Sequence, residues 1–311
     1  MSKKIVIFHK VDLDGWMSAA IVKKKYPDVE LIGWDYGEDN PMIYDEEKYT
    51  PGENEFAIGS KEKVIMVDIA FDPEVMIYLR ERAVKPLSFI WIDHHKSAIM
   101  DSIKHNYQGV AGTRDMEFAA CELTWKYFFP DDPVPESVEL LGLYDSFRHK
   151  TKSAEIQKRV MQFQYAARAY WFDPISCARA LRDGFNVEPC IQSGKAIFAY
   201  LEMEALQIYA KGFPITLKEI IDNKDNSFIF RKFICVNRER FNPANFGIDY
   251  HKDGYDGAAC FWYQDGKWHW SLYNANGKVD VSEICKEYGG GGHPGAAGYT
   301  EDSFHITLPK P

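Results

Sequence analysis

The sequence predicts an α/β protein in which an N-terminal, mainly parallel sheet flanked by helices is joined by a helical linker to a smaller α/β domain. In the first part, short apolar β-branched segments alternate with segments of helical periodicity, which is typical of buried parallel strands. After Gly212 the composition changes and strand-like segments dominate. A length of 311 residues is sufficient for two domains with separate cores.

The first part of the chain contains repeated strand–helix units. The periodicity predicts strands over 4–8, 29–34, 64–67 and 89–92, and helices over 15–25 and 73–82. Pro73 fits the first turn of the second helix. The segment 39–59, with two prolines, two glycines and many acids, is predicted to be a long loop.

Helical periodicity then dominates, and strands return near the C-terminus. Helices are expected at roughly 115–129, 136–149, 154–168, 173–183 and 188–211. Beyond them we predict strands over 228–236, 258–263, 268–273 and 304–308, a helix over 281–288, and a hairpin turn at Asp265-Gly266. The predicted domains are therefore residues 1–187 and 214–311, with 188–213 as the helical linker.

Composition excludes several classes of protein. The chain is 46% hydrophobic and 27% charged, as in globular domains, and no apolar run reaches the roughly 20 residues of a membrane span. Residues 1–8 are too short for a signal peptide. Six scattered cysteines without a Cys-x-x-Cys pair favour reduced thiols, and we expect a cytoplasmic protein.

The net charge of −9, from 46 acidic and 37 basic residues, disfavours binding of long nucleic acids. Proteins that hold long strands through their phosphates usually carry a basic track. The sequence has no Lys/Arg cluster larger than Lys23-Lys24-Lys25. We expect no binding to long duplexes or to membranes, and monomer and homodimer remain open alternatives.

Acidic and histidine residues follow three of the predicted strands. The carboxyl ends of parallel strands meet at one edge of a sheet, where ligands of α/β proteins collect. Together with a downstream aspartate, these residues form a candidate metal-ligand set: His9, Asp12, Asp14, Asp68, His94 and Asp145.

Four carboxylates packed without cations would repel one another, so some would have to stay protonated. Two divalent ions would carry +4 against −4, and one carboxylate can bridge ions at a separation of roughly 3.5–4 Å. Mixed His/Asp ligation without thiolate suits Mn²⁺, with Mg²⁺, Co²⁺ and iron as alternatives. The sequence therefore predicts a dinuclear metal centre.

Taken singly, each residue also has an ordinary structural explanation. Asp68 is compatible with a helix-cap or turn residue, and Asp145 with a surface ion pair to Arg148. It is the occurrence of all the segments in order at strand ends that favours function. The remaining histidines are expected to be structural or exposed: His105, His149, His251, His269 and His305.

A glycine run near the C-terminus is the second candidate site. Four successive glycines cost conformational entropy. Such a loop can close its backbone N–H groups around an anion, with a side-chain donor beside it. The alternative is a flexible linker, but predicted helix and strand on either side disfavour it. The substrate-binding candidates here are Gly290, Gly291, Gly292 and His293.

The motifs together resemble the DHH phosphoesterase superfamily, and 289–298 resembles the hallmark of its associated C-terminal domain. The arrangement is similar to the oligoribonuclease (nanoRNase) and pAp-phosphatase branch, and more distantly to RecJ-type exonucleases. The resemblance implies an active site in the cleft between the domains. It also implies that His9 and Asp12 bind one metal, that Asp14, His94 and Asp145 bind the other, and that Asp68 bridges them.

The resemblance further implies catalytic roles for Asp93 and His95. Asp93 would orient His94, and His95 would face the scissile phosphate. The sequence departs from the branch where members often carry an arginine, since Tyr273 stands at that position. Arg238, Arg240 or Tyr273 would then have to contact the substrate.

These expectations favour a manganese-dependent hydrolase that cleaves short oligonucleotides to nucleoside monophosphates, with a metal-bridging hydroxide attacking phosphorus. Four alternatives stay open: a phosphatase of 3′-phosphorylated nucleotides, a cyclic-dinucleotide phosphodiesterase, a RecJ-like single-strand exonuclease, and a non-catalytic nucleotide-binding sensor. The sequence does not distinguish RNA from DNA substrates.

Overall fold

The computed structural model describes residues 4–38, 63–82, 88–222 and 227–304. The chain divides into two compact units, Met1–Ile197 and Phe198–Pro311. This division falls within a long helix, Glu188–Tyr209, in the segment predicted to link the domains. The predicted loop over 39–59 lies outside the described residues. None of the helices in the described ranges is long and apolar enough to cross a membrane.

The first unit contains a four-stranded parallel sheet. Its strands are β1 Lys4–His9, β2 Glu30–Trp34, β3 Lys63–Val67 and β4 Phe89–Ile92, in the order β2-β1-β3-β4. Every pairing between neighbours is parallel. The predicted parallel α/β sheet is therefore confirmed, and the carboxyl ends of all four strands lie along one edge.

Helices cover both faces of this sheet. The helices are α1 Leu13–Lys25, α2 Pro73–Arg82, α3 Lys96–Lys104, α4 Ala120–Phe128, α5 Glu136–Asp145, α6 Ala154–Tyr170, α7 Pro174–Cys177 and α8 Glu188–Tyr209. Of these, α1 and α4 cover one face of the sheet and α2 and α3 the other, whereas α5, α6 and α7 form a further core with α1 and α4. Alternate strand residues pack on opposite faces, as the twofold repeat of a strand requires. Val6 and Ile65 lie on the sheet face that packs against α1 and α4. Met66 lies on the opposite face, which packs against α2 and α3.

Some predicted helix boundaries were wrong. The helix expected over 115–129 begins only at Ala120, and the one expected over 136–149 ends at Asp145. Phe147 has a φ of 58°, which interrupts the helix before a short 3₁₀ turn. The helix expected over 173–183 is short α7 followed by a 3₁₀ turn.

The described part of the second unit contains the end of α8, a six-stranded mixed sheet and a further helix. It contains β5 Phe213–Asp222, β6 Ser227–Asn237, β7 Gly257–Gln264, β8 Lys267–Tyr273, α9 Val281–Glu287, β9 Gly291–His293 and β10 Ala296–Glu301, in the strand order β5-β6-β7-β8-β10-β9. The β6–β7 pairing is parallel and the others are antiparallel.

Sequence patterns located β6, β7 and β8 of this second sheet but missed β5, β9 and β10. The hairpin turn at Asp265 and Gly266 is confirmed: both residues have positive φ, as the two central residues of a type I′ turn do. The last described strand is β10, and residues 305–308 of the predicted final strand lie outside the described residues.

Candidate metal centre

The candidate metal residues gather at the carboxyl edge of the parallel sheet. His9 is the last residue of β1, Asp68 follows β3, and His94 lies two residues after β4. Asp12 and Asp14 belong to the start of α1, and Asp145 is the last residue of α5. The ends of three strands and two helices therefore bring two imidazoles and four carboxylates together at this edge.

Gly15 explains why the first motif ends in glycine. A Cβ atom on Gly15 would lie 2.0 Å from the carbonyl oxygen of His9, so α1 packs directly on the end of β1. The Asp12 carboxylate caps this helix by accepting the Gly15 N–H at 3.0 Å. The tight turn between β1 and α1 holds Asp12 close to His9.

The first possible metal-binding group consists of His9, Asp12 and Asp68, whose ligand atoms lie within 4.8 Å of one another. His9 Nδ1 is 3.1 Å from Asp12 Oδ2 and 3.5 Å from Asp68 Oδ2. On its other side, His9 Nε2 is 3.3 Å from Asp35 Oδ1. A proton on Nε2, donated to Asp35, would leave the Nδ1 lone pair directed at the group.

The second group consists of Asp14, His94 and Asp145, with the same mutual spacing. His94 Nε2 lies 3.7 Å from Asp14 Oδ2 and 3.3 Å from Asp145 Oδ2. Both oxygens of Asp14 accept backbone N–H groups at the start of α4, from Ala120 and Cys121, each at 2.8 Å. Asp14 is thus fixed in position before any ion binds.

Asp68 lies between the two groups. Its carboxylate is 3.5 Å from His9 Nδ1 and 3.3 Å from His94 Nε2, and a third group joins it to His94 and His95. Asp68 is 1% exposed, yet neither oxygen makes a hydrogen bond of good geometry. Its φ of 60° is in the left-handed region, which costs a non-glycine residue conformational energy.

A buried carboxylate with two unsatisfied oxygens and a strained backbone fits a bridging metal ligand. Buried polar atoms without partners are rare, because each one costs free energy. Cations contacted by both oxygens would remove that cost. Together, the oxygen and nitrogen donors fit one or two divalent cations.

Charge–charge interactions shift the pKa values of these residues strongly. Burial lowers the pKa of His9, but Asp12 and Asp68 outweigh it and raise that pKa to about 11. The same holds for His94: burial lowers its pKa, but Asp68 and Asp145 outweigh burial and raise the pKa to about 11. Burial, with help from neighbouring carboxylates, raises the pKa of Asp14 and brings that of Asp145 to about 6. In the absence of metal, protons on these histidine and aspartate side chains therefore offset negative charge that bound cations would otherwise neutralise.

The Asp93 carboxylate contacts the ring of His95. Its Oδ1 accepts the backbone N–H groups of His94 and His95 at 2.7 and 3.1 Å, and it lies 2.8 Å from His95 Nδ1. Asp93 therefore orients the ring of His95. His94 directs its Nε2 towards the carboxylates of Asp14, Asp68 and Asp145, while Asp93 holds its backbone N–H. Orientation of the His94 ring by Asp93 stays a prediction.

The glycine run is more ordered than an open anion-binding loop. Gly289 has a φ of 76° and donates to Lys286, while Gly290 donates to Cys285 at 2.9 Å. These two bonds close α9 with a Schellman motif. The N–H of Gly290 is therefore committed to the helix, and its predicted contact with an anion through that N–H is wrong.

Gly291, Gly292 and His293 form strand β9, which pairs with β10. A Cβ atom on Gly292 would lie 2.7 Å from the Cα of Ala297, so glycine is needed for close strand packing. The run thus has structural reasons for its glycines. Substrate binding by Gly291, Gly292 and His293 stays a prediction.

The other predicted substrate-binding residues lie in the second unit. Arg238 is 51% exposed and its guanidinium is 3.5 Å from Glu204. Arg240 is exposed, has a φ of 47° and lies 3.9 Å from Glu239. Tyr273 ends β8, where its carbonyl accepts a bond from the Tyr250 hydroxyl. These contacts do not indicate a bound ligand for Arg238, Arg240 or Tyr273.

Sequence reasoning missed Asp35, which holds the outer nitrogen of His9. The signal was present, because Asp35 directly follows the apolar strand β2 as Asp68 follows β3. The adjacent Tyr36 places its ring 6.0 Å from that of His9 and 6.5 Å from that of His95, measured between centroids. Asp35 and Tyr36 therefore complete the wall of the site on the β2 side.

No protein-family model matches the sequence. An uncharacterized protein of Acanthamoeba polyphaga mimivirus is 25% identical over 226 residues, which make up 71% of this chain. The match spans half the length (50%) of that mimivirus protein.

Two of the solved structures found to be similar have names that refer to an enzymatic activity. A pGpG-specific phosphodiesterase of Vibrio cholerae has a TM-score of 0.44 and 11% identity, covering 96% of this chain and 92% of its own. An exopolyphosphatase-related protein of Bacteroides fragilis has a TM-score of 0.45 and 12% identity, covering 99% and 88%. An uncharacterized protein of Helicobacter pylori has a TM-score of 0.37 and 14% identity, covering 98% and 94%. Likeness at this level identifies no activity.

Proposed function

We propose that the chain is a metal-dependent phosphoesterase that hydrolyses short oligonucleotides to nucleoside monophosphates, with Mn²⁺ as the best-suited ion. The observation that carries the proposal is the position of Asp68. This buried carboxylate makes no hydrogen bond of good geometry and lies between two groups of His and Asp ligands. Shared ligands of this kind are typical of two-metal hydrolases.

The ligand residues divide into two sets that share Asp68. His9 and Asp12 would hold one cation, Asp14, His94 and Asp145 the other. When bound, two divalent cations supply an activated water and positive charge for the phosphate oxygens. The four carboxylates balance the charge of two divalent ions.

His95 is the residue proposed to act on the substrate. Asp93 accepts from its backbone N–H and contacts its Nδ1 at 2.8 Å, so the ring is fixed before substrate arrives. Burial lowers the pKa of His95, but Asp93 outweighs it and the net shift is upward. A protonated His95 beside the metal groups would donate to a phosphate oxygen as negative charge builds there.

The net charge supports short substrates. A long strand would present phosphates to a surface with nine more acidic than basic residues. We propose that Gly291, Gly292 and His293 of the second unit also contact the substrate. Catalytic efficiency should be highest for about two to five nucleotides and should depend only mildly on salt, because few phosphates are contacted.

The proposal is tested by comparing substrates with defined metal content. Chelator-treated protein is reloaded with Mn²⁺, Mg²⁺ or Co²⁺ and incubated with RNA and DNA of two to ten nucleotides, pAp and cyclic dinucleotides. Products are then identified by mass spectrometry. We expect nucleoside monophosphates from the short RNA or DNA, fastest with Mn²⁺.

Two variants control this experiment. Asp14→Asn removes a ligand carboxylate and should abolish turnover, whereas Asp183→Asn changes a fully exposed acid and should leave turnover unchanged.

Preferred cleavage of pAp or of cyclic dinucleotides would instead select one of those phosphatase or phosphodiesterase activities. Processive degradation of long strands with steep salt dependence would favour a RecJ-like exonuclease. Two bound metals without hydrolysis of any phosphoester would indicate a nucleotide sensor.

A further inference from the structure

Arg168, near the C-terminal end of α6, is an exposed arginine that packs against Tyr144 of α5. Its guanidinium lies over the rings of Tyr144 and Tyr165, at 5.3 Å from each centroid, and 3.4 Å from the Tyr144 hydroxyl. Tyr144 immediately precedes Asp145, a member of the second metal group. The side chain is therefore held by the neighbour of a ligand residue.

Arg168 differs from the other arginines nearby in having no acidic partner. Arg148 pairs with Glu122, and Arg159 on the same helix pairs with Glu136 and Glu188. In the described part of the chain, no carboxylate lies within 4.0 Å of the Arg168 guanidinium. Its described contacts are with two aromatic rings and one hydroxyl, so no carboxylate forms a close ion pair with it.

Arg168 interacts electrostatically with one carboxylate of the first metal group, that of Asp12. Burial lowers the pKa of Arg168, but Tyr144, Tyr165 and the carboxylate of Asp12 outweigh it, so the net shift is upward. Asp12 belongs to the first metal group. Cations in both groups would neutralise the carboxylates, and Arg168 would then add positive charge at the edge of the centre.

We propose that Arg168 binds a phosphate oxygen of the substrate at the metal centre. An arginine fork matches phosphate geometry, keeps its charge at all relevant pH values, and stacks on aromatic rings that restrict its motion. Members of the branch that this sequence resembles often carry an arginine at the position of Tyr273. Arg168 would supply a phosphate contact in place of that arginine. This inference rests on the proposed function, because it assumes a phosphorylated ligand at the site.

The test measures ligand binding apart from turnover. Isothermal titration calorimetry of the Mn²⁺-loaded protein compares 5′-AMP with adenosine, which lacks the phosphate. Arg168→Gln should raise the Kd for AMP roughly 10–100-fold, the range for losing a hydrogen bond between charged groups. The Kd for adenosine should not change. Arg168→Lys, which keeps the charge without the fork, should fall between Arg168→Gln and the wild type.

Arg179→Gln is the matched control, because it removes the same charge from an exposed arginine of the same unit. It should bind AMP like the wild type. Manganese content and Tm, measured on every variant, separate ligand binding from a purely structural link between α5 and α6. Such a link would lower Tm and weaken AMP and adenosine alike.

Three results would overturn the inference: AMP affinity within about twofold of wild type in Arg168→Gln and Arg168→Lys, equal losses in Arg179→Gln, or a wild type that does not prefer AMP to adenosine. Failure of the proposed function looks different. The wild type would then hydrolyse no phosphoester, while its preference for AMP could still depend on Arg168. Hydrolysis with unchanged AMP binding in the Arg168 variants would refute this inference alone.

Discussion

Metal binding should release at least two protons per chain at pH 8. His9 and His94 have pKa values of about 11 in the metal-free protein, so both rings are almost fully protonated at that pH. Each must lose its proton before its nitrogen can bind a cation. With the pH about three units below the pKa, deprotonation costs about 4 kcal/mol for each ring.

This cost gives the pH dependence its sign. As pH rises from 6 towards 11, the deprotonation penalty falls, so the apparent affinity for each cation should rise about tenfold per pH unit. The contribution of these two protonated rings to the stability of the metal-free fold has the opposite dependence. It is fully present below the unfolded-state pKa of about 6.5 and disappears as pH rises through about 11.

Calorimetric titration of Mn²⁺ at pH 8, in buffers with different ionisation enthalpies, counts the released protons. His9→Gln should release about one proton fewer than wild type, whereas His105→Gln, which changes an exposed histidine, should match wild type. The reasoning fails if wild type releases no protons, or if His9→Gln and wild type release the same number.

Three further predictions concern single residues. His95→Ala should retain its Mn²⁺ content but lower kcat by about 100-fold or more, as measured by elemental analysis and steady-state kinetics; an unchanged kcat would remove His95 from the chemistry. His293→Ala should raise KM with little change in kcat, and an unchanged KM for every active substrate would refute its role in binding. Gly15→Ala should lower the free energy of unfolding by about 3 kcal/mol or more in urea titrations, because its Cβ would overlap the His9 carbonyl; wild-type stability would contradict that packing.

The sheet edge could be predicted because its signals are local. An apolar run that ends abruptly in Asp or His marks both the strand and its functional end, as at His9 and Asp68. Parallel pairing then brings these ends together without any further information. Asp35 follows the same rule, and the sequence could have revealed it.

Other features depend on contacts between distant residues and leave no local pattern. The start of α4 is fixed by Asp14, more than 100 positions earlier, whose carboxylate binds the N–H groups of Ala120 and Cys121. Periodicity alone extended this helix to 115. Arg168 has the spacing of any surface residue on α6. Tyr165 is its neighbour one turn earlier on that helix, but only folding brings Tyr144 beside it. The strand pairing of Gly291–His293 likewise depends on β10.

The central claim is that Asp68 joins two cation sites, and electron paramagnetic resonance of the Mn²⁺-loaded protein tests it most directly. Two Mn²⁺ ions sharing a carboxylate at roughly 3.5–4 Å should be magnetically coupled, with two ions per chain by elemental analysis. Asp68→Asn should lose the coupled signal, whereas Asp183→Asn should keep it. A single uncoupled Mn²⁺ in wild type, or an unchanged coupled signal in Asp68→Asn, would contradict the account.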